Sequence, residues 1–285
     1  MSRQLRLEFP GAVYHVMSRG NNKQNIFLDR GDNELLLSIL KEVTERFNWL
    51  CHSYCLMKSH NHLLLETPEA NLSLGMKRLN SIYAQEFNKK YNRVGHVFQG
   101  RYKAILVQKE TYLLVLSKYI AVNPVKDGLV ERPEDWPWSS YRATIGLEKN
   151  PGFLYTDWLL GQFREHRCEA IEAYKRFVSE SPVFDLPAKK VKGDLFLGDE
   201  DFIEGVRRKL DSNDKIKKVV RIQRLEERPE LYEIFQGAEQ KPLRNEKIHL
   251  ALKRYGFSIT EISRALGVSI STVSKAMKNF HSKRA

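Results

Sequence analysis

Two histidines one residue apart, His60 and His62 in Lys58-Ser59-His60-Asn61-His62-Leu63-Leu64-Leu65-Glu66, are the residues whose types and spacing most directly suggest chemistry. On a strand, alternate side chains share a face, so His60, His62, Leu64 and Glu66 point one way and Leu63 and Leu65 the other. An imidazole pair at i and i+2 can close on one metal ion without bending the backbone. Downstream, Tyr112, Leu116, Tyr119 and Asn123 fall at i, i+4, i+7 and i+11, one stripe of a helix. If that helix crosses the strand, a phenol and an amide meet the two imidazoles. An ion would then take His60 and His62, with the Asn123 side-chain oxygen as a third candidate ligand. Mixed imidazole and oxygen ligands suit Mn²⁺ better than Mg²⁺ but allow either. Such an ion would polarise a phosphate and stabilise the charge developing on it. The Tyr119 oxygen would be the nucleophile. A free phenol has a pKa near ~10, so it needs a cation or a base to attack at neutral pH. Attack on a phosphodiester gives a phosphotyrosine that keeps the energy of the original bond, and a DNA hydroxyl reseals it without ATP.

Plainer readings compete. A His-x-His strand is also an ordinary half-buried strand, and Tyr119 is also a core aromatic with its hydroxyl tied to a neighbour. Tyr112 shares the stripe and is the rival nucleophile; Tyr83 falls on an apolar stripe and reads as core, and Tyr91 and Tyr102 are weaker rivals. His15 reads as a sheet histidine and His96 as a loop residue, neither with a catalytic role. Glu66 reads as a strand-end charge.

The elements that must position these groups follow from periodicity. Residues 11–18 read as a strand, 32–48 as a helix, 49–57 as a strand returning through Lys58-Ser59 into the His60 strand, 72–90 as a helix and 97–107 as a fourth strand. This order predicts an α+β fold: a ferredoxin-like antiparallel sheet with the first and third strands central and both helices on one face. The His60–His62 face is then left open for a third helix over 110–122, with Asn123 at its very end because Pro124 follows. Trp136-Pro137-Trp138-Ser139-Ser140-Tyr141 reads as an aromatic cluster tying the chain back onto this domain. Helical pattern spans 155–180, and 181–193 reads as a linker with too little apolar content to pack. The expected domains are 1–150 (catalytic), 151–195 (helical extension and linker) and 196–285 (all-helical). In the last, 215–224 is strongly basic. Residues 259–277 have helix-turn-helix spacing, with Gly267 for the turn and Ser269 or Ser271 as cap of the second helix.

A formal net charge of +12 over 285 residues suits a polyanionic partner, nucleic acid before membrane. No apolar run is long enough to span a bilayer and no signal peptide pattern opens the chain, so the expected location is the cytoplasm, with the nucleoid. Cys51, Cys55 and Cys168 show no zinc-ribbon spacing and imply no disulfide framework. Arg19, Asn21, Arg101, Lys103 and Lys126 are the candidate phosphate contacts around the active face, with Phe98 and Tyr102 able to stack on unpaired bases. Ser269, Ser271, Thr272 and Lys275 would meet duplex DNA from the second helix of the C-terminal motif.

With its hydrophobic strand, His60-Asn61-His62 resembles the HUH motif of single-tyrosine HUH endonucleases, with Asn where a bulky apolar residue is usual. Gly95-His96-Val97-Phe98-Gln99-Gly100-Arg101-Tyr102-Lys103, Tyr119-Ile120-Ala121-Val122-Asn123-Pro124-Val125-Lys126, Tyr14-His15-Val16-Met17-Ser18-Arg19-Gly20-Asn21 and Trp136-Pro137-Trp138-Ser139-Ser140-Tyr141 resemble the REP-associated tyrosine transposases. The resemblance covers about the first half of the chain. It implies Tyr119 as nucleophile, His60, His62 and Asn123 as metal ligands, and single-stranded, hairpin-forming DNA as substrate. It leaves open a monomer or a dimer exchanging the tyrosine helix. The C-terminal region resembles the helix-turn-helix end of bacterial replication initiators. The competing function is a DNA-binding regulator that keeps the fold and does no chemistry.

Overall fold

The computed structural model describes residues 7–180, 191–192, 195–211, 229–237, 240–253, 257 and 259–281. The basic segment 215–224 and most of the expected linker, 181–190 and 193, lie outside them. Two compact units divide at Gly205/Val206.

The first unit is built on one sheet. Strand β1 (Ala12–Arg19) is followed by α1 (Arg30–Arg46), β2 (Leu50–Leu56), β3 (His60–Thr67), α2 (Leu72–Lys90), β4 (Lys103–Val107) and α3 (Lys109–Lys126). The strands lie in the order β2-β3-β1-β4, each neighbouring pair antiparallel, so β1 and β3 are central. Two turns of 3₁₀ helix (Asn21–Lys23 and Pro133–Asp135) and short helices α4 (Tyr141–Thr144), α5 (Asp157–Gly161) and α6 (Arg167–Ser179) complete the chain up to residue 180.

Local chemistry sets the element ends. Helix α1 begins at Arg30 rather than Asp32 because Asp29 caps it: its carboxylate accepts from the Asp32 amide, while the Asp32 carboxylate accepts from the Asp29 amide. The buried Asp32 also takes Lys90 at 2.8 Å and the Tyr91 hydroxyl at 2.9 Å, tying the end of α2 to the start of α1. Gly75 lets α2 lie against the indole of Trp49; an added Cβ would fall 2.1 Å from that ring. On this side of the sheet Ser18 bonds Asn80 of α2 and donates its amide to the buried Asn61.

The expected fourth strand is shorter than 97–107. Phe98 bridges to Gly20, and the amides of Asn21 and Gln99 link this segment to the end of β1. Gly100, at φ +156°, then breaks the run before β4 starts at Lys103. Helix α3 departs in the other direction: it runs through Pro124 to Lys126, so Asn123 is not terminal. The proline lacks the N–H that would bond the Ile120 carbonyl. The next turn still closes, since the Asp127 amide donates to the Asn123 carbonyl at 2.9 Å.

Helix α3 covers the face of the sheet opposite α1 and α2. It is buried on more than one stripe, because α5 and α6 pack behind it: Tyr112, Leu113, Leu116 and Ile120 share a core with Val13, Leu64, Val107, Leu159 and Tyr174. The Trp136–Tyr141 segment runs along the outer edge of β2, with the Leu56 amide donating to the Trp138 carbonyl and the Ser140 amide to the Tyr54 carbonyl. That covers an edge that would otherwise present unpaired backbone groups. Two strands are new relative to the sequence reading. Val191–Lys192 (β5) and Phe196–Leu197 (β6) form a hairpin whose β6 pairs parallel with β4. A boundary at 195/196 would cut this hairpin, which explains why the first unit continues to Gly205.

After α7 (Glu200–Asp211), the described residues of the second unit form α8 (Leu231–Phe235), α9 (Lys241–Lys253), α10 (Ile259–Leu266) and α11 (Ile270–His281). Ile234, Ile248, Ala251, Phe257, Ile262, Val273 and Ala276 form its core. Gly267, at φ +62°, ends α10, and the Ser269 hydroxyl accepts from the Thr272 amide at 3.2 Å at the start of α11.

Candidate active site

Strand register decides which side chains meet. In the β1–β3 pairing Arg19 lies opposite His60, Met17 opposite His62 and His15 opposite Leu64. Across β4, Met17 lies opposite Lys103 and His15 opposite Ile105. One sheet face therefore carries His15, Arg19, His60, His62 and Lys103, and α3 lies on that face.

The rings converge. The His60 and His62 centroids are 4.9 Å apart at 80°. The Tyr119 ring stands edge-on to His62 at 5.9 Å and to His15 at 5.9 Å. Asn123, one turn further along α3 and buried, donates its amide nitrogen to the Tyr119 carbonyl at 2.8 Å. That leaves the side-chain oxygen as the Asn123 atom with coordinating capacity. The Lys126 ammonium lies 5.8 Å from the centre of the Tyr119 ring. Tyr119 is half-buried, whereas Tyr112 sits in the core beside Val13 and Val107. The other rivals are engaged elsewhere: Tyr83 with the Ile26 carbonyl, Tyr91 with Asp29 and Asp32, and Tyr102 with Ser73.

The electrostatics keep the imidazoles neutral. Burial holds His62 well below the ordinary histidine range, and His15, His60 and Arg19 push the same way. Burial lowers His60 too, opposed by Asp127 and assisted by Arg19. Each ring is also oriented: Nδ1 of His60 is 3.2 Å from the Ser59 hydroxyl, and Nδ1 of His62 is 2.9 Å from Nε2 of His15. Both Nδ1 atoms are engaged and both Nε2 atoms remain for another partner. Neutral imidazoles with one nitrogen held by a neighbour are the form in which histidine binds a metal. Among the described residues, no group of three or more His, Cys, Asp or Glu is placed to hold an ion. The atoms here that could coordinate an ion are Nε2 of His60, Nε2 of His62 and the Asn123 side-chain oxygen.

Of the candidate phosphate contacts, Arg19, Lys103 and Lys126 are exposed at this face. Arg101 is exposed just before β4, and Asn21 lies exposed in the turn after β1, its amide donating to the Val97 carbonyl. Ser269, Ser271 and Lys275 are exposed and Thr272 half-exposed, at the start of α11 in the other unit.

Two residues given no role by the sequence reading are engaged. His15 stacks on His62 at 5.1 Å. Glu66, read as a strand-end charge, accepts from Lys109 at 2.7 Å and pairs with the fully buried His52 at 2.9 Å. His15 alternates onto the same face as Met17 and Arg19, which is visible in the sequence; its pairing with His62 depends on cross-strand register, which is not.

No helix among the described residues is long and apolar enough to cross a membrane. The sequence model of the family described as Transposase IS200 like matches residues 9–123. A candidate REP-associated tyrosine transposase of Haemophilus influenzae is 30% identical over 133 residues, 42% of this chain and 73% of that protein. A solved structure of a REP-associated tyrosine transposase bound to a REP hairpin superposes on 55% of this chain and 91% of its own, at 19% identity and a TM-score of 0.45. The chain belongs to the REP-associated tyrosine transposases of the IS200-like family.

Proposed function

We propose that the protein nicks single-stranded DNA and transfers the cut strand through a phosphotyrosine at Tyr119. The observation that carries this reading is the approach of the Tyr119 ring to within 5.9 Å of His62, whose neighbour His60 is 4.9 Å away. His60, His62 and the Asn123 side-chain oxygen would hold Mg²⁺ or Mn²⁺. A cation bound there supplies Lewis-acid polarisation of a phosphate oxygen.

The chain's own residues do the rest. The Tyr119 oxygen attacks phosphorus, the bond from phosphorus to the 3′ oxygen breaks, and the phenol proton ends on the departing 3′ hydroxyl. The product is a 5′-phosphotyrosine, and a second 3′ hydroxyl reverses the step on a new strand. The Lys126 ammonium, 5.8 Å from the centre of the Tyr119 ring, would add positive charge beside the attacked phosphate. Arg19, opposite His60 on β1, and Lys103, one strand further on β4, would meet the phosphates on the β1 side of the imidazoles, and Asn21 and Arg101 would extend this track. The solved relative bound to a REP hairpin, and the likeness to REP-associated enzymes, make hairpin-forming DNA the substrate to try first. In the second unit, Ser269, Ser271, Thr272 and Lys275 at the start of α11 would contact duplex DNA in helix-turn-helix fashion.

The test is incubation with a labelled single-stranded hairpin and Mn²⁺ or Mg²⁺, followed by denaturing electrophoresis. Wild type forms an SDS-resistant adduct and Tyr119→Phe forms none while binding the hairpin as before. A wild-type protein that binds hairpins and never forms the adduct is instead a regulator.

A further inference from the structure

The contact between His15 and His62 bears on how the cation site is prepared. Nε2 of His15 lies 2.9 Å from Nδ1 of His62, and the rings stack with 18° between their planes. Both side chains are buried, at 6% and 3% exposure. At that separation one of the two nitrogens donates and the other accepts.

A neutral imidazole carries one ring proton, so this hydrogen bond has two forms. In one, His15 donates from Nε2 and His62 accepts at Nδ1. The proton of His62 then sits on Nε2, which has no lone pair to offer. In the other, His62 donates from Nδ1 and His15 accepts at Nε2, holding its own proton on Nδ1. Nε2 of His62 then keeps its lone pair, and only this form binds a cation. Nδ1 of His15 is buried with no hydrogen-bond partner among the described residues. It is an unpaired acceptor in the first form and an unpaired donor in the second, so it gives neither form a partner. The other groups facing the pair are His60 and Arg19, on His62, and the Tyr119 ring, on both.

We infer that His15 is a positioning residue: it receives the Nδ1 proton of His62, fixes that ring in the cation-binding tautomer and holds its plane. The inference rests on the proposed role of His60 and His62 as cation ligands. It assigns His15 no contact with the cation, because its Nε2 is occupied by His62.

Mn²⁺ binding to the full chain, measured by calorimetry or by electron paramagnetic resonance of free Mn²⁺, separates the possibilities. His15→Phe keeps a flat ring and loses the acceptor, and weakens Mn²⁺ by roughly 10–100-fold, the usual effect of removing an outer partner of a metal-binding histidine. His15→Gln, which sets a carbonyl oxygen where Nε2 lay, recovers most of that affinity. In the wild type, ¹⁵N resonances of His62 move to the Nδ1–H tautomer as Mg²⁺ is added. Folded His15→Phe that binds Mn²⁺ as tightly as wild type overturns the role of His15 and leaves the cation site standing, whereas His62 still protonated on Nε2 at saturating Mg²⁺ overturns the role of His15 and removes His62 from the ligands. A wild type that binds no Mn²⁺ overturns both.

Discussion

The ammonium of Lys109, the first residue of α3, lies 2.7 Å from the Glu66 carboxylate near the end of β3. Glu66 also meets His52 at 2.9 Å, and Lys109 lies over the Trp158 ring at 5.1 Å. Tyr119 is ten residues further along the same helix, about 15 Å at the α-helical rise. A straight helix pinned at one end to the strand that carries His60 and His62 fixes where its tyrosine lies against them.

Glu66→Gln therefore costs stability, by about 1–2 kcal/mol near neutral pH, because His52 and Lys109 lose a charged partner in a largely buried setting. Burial alone would raise the Glu66 carboxyl, but hydrogen bonds from His52 and Lys109 outweigh it and hold it below its ordinary value of 4.5. A carboxylate lowered by folding stabilises fully above that value, and the contribution disappears as pH falls through the folded one. Denaturant midpoints of wild type and variant should differ at pH 7 and converge in acid. A constant difference down to pH 3 would show that charge is not the reason.

Gly75→Ala tests the packing of α2 on the sheet. Its Cβ would fall 2.1 Å from the Trp49 ring, which is buried and held by a 2.7 Å bond from its indole nitrogen to Asn71. The ring has little freedom to yield, so overpacking costs roughly 1–3 kcal/mol. A thermal melt reads this directly, and an unchanged Tm would mean that α2 and Trp49 are not apposed.

In the second unit, Ser269→Ala removes the hydroxyl that accepts from the Thr272 amide and loosens α11 by about 1 kcal/mol. Ser269→Gly costs only a few tenths of that scale, since glycine is tolerated at this position. Hydrogen exchange of the first amides of α11 distinguishes the two variants. Equal protection in all three proteins would remove Ser269 from the capping role.

His60→Ala removes a direct ligand under the proposed function. His60 is half-buried at the start of β3, so the sheet tolerates its loss. Mn²⁺ affinity should fall by more than the roughly 10–100-fold that outer partners are worth, with little change in Tm. Undiminished Mn²⁺ binding would place the cation elsewhere.

Much of the arrangement was legible in the residues. Helix α2 has the bounds its apolar stripe indicates, Leu72–Lys90, because Leu79, Tyr83 and Phe87 repeat at helical spacing up to a basic end. Alternation in His60–Glu66 assigned the two faces of β3, and the element order put β1 and β3 at the centre of the sheet. Long-range facts were not legible. Pro124 reads locally as a stop, yet packing on both sides of α3 carries the helix past it. Val97 and Phe98 have strand-like composition, but Gly100 diverts the backbone. The two-residue strands β5 and β6 are too short to leave a periodic signal and exist because β4 offers an edge. The register that places His15 beside His62 is a property of two strands, not of either one.

The most direct measurement of the account is mass spectrometry of the covalent adduct formed with a single-stranded hairpin in Mn²⁺, digested with protease and nuclease. The account predicts a nucleotide phosphate on the peptide containing Tyr119, at that oxygen. A nucleotide on Tyr112, Tyr102 or any other side chain would contradict it.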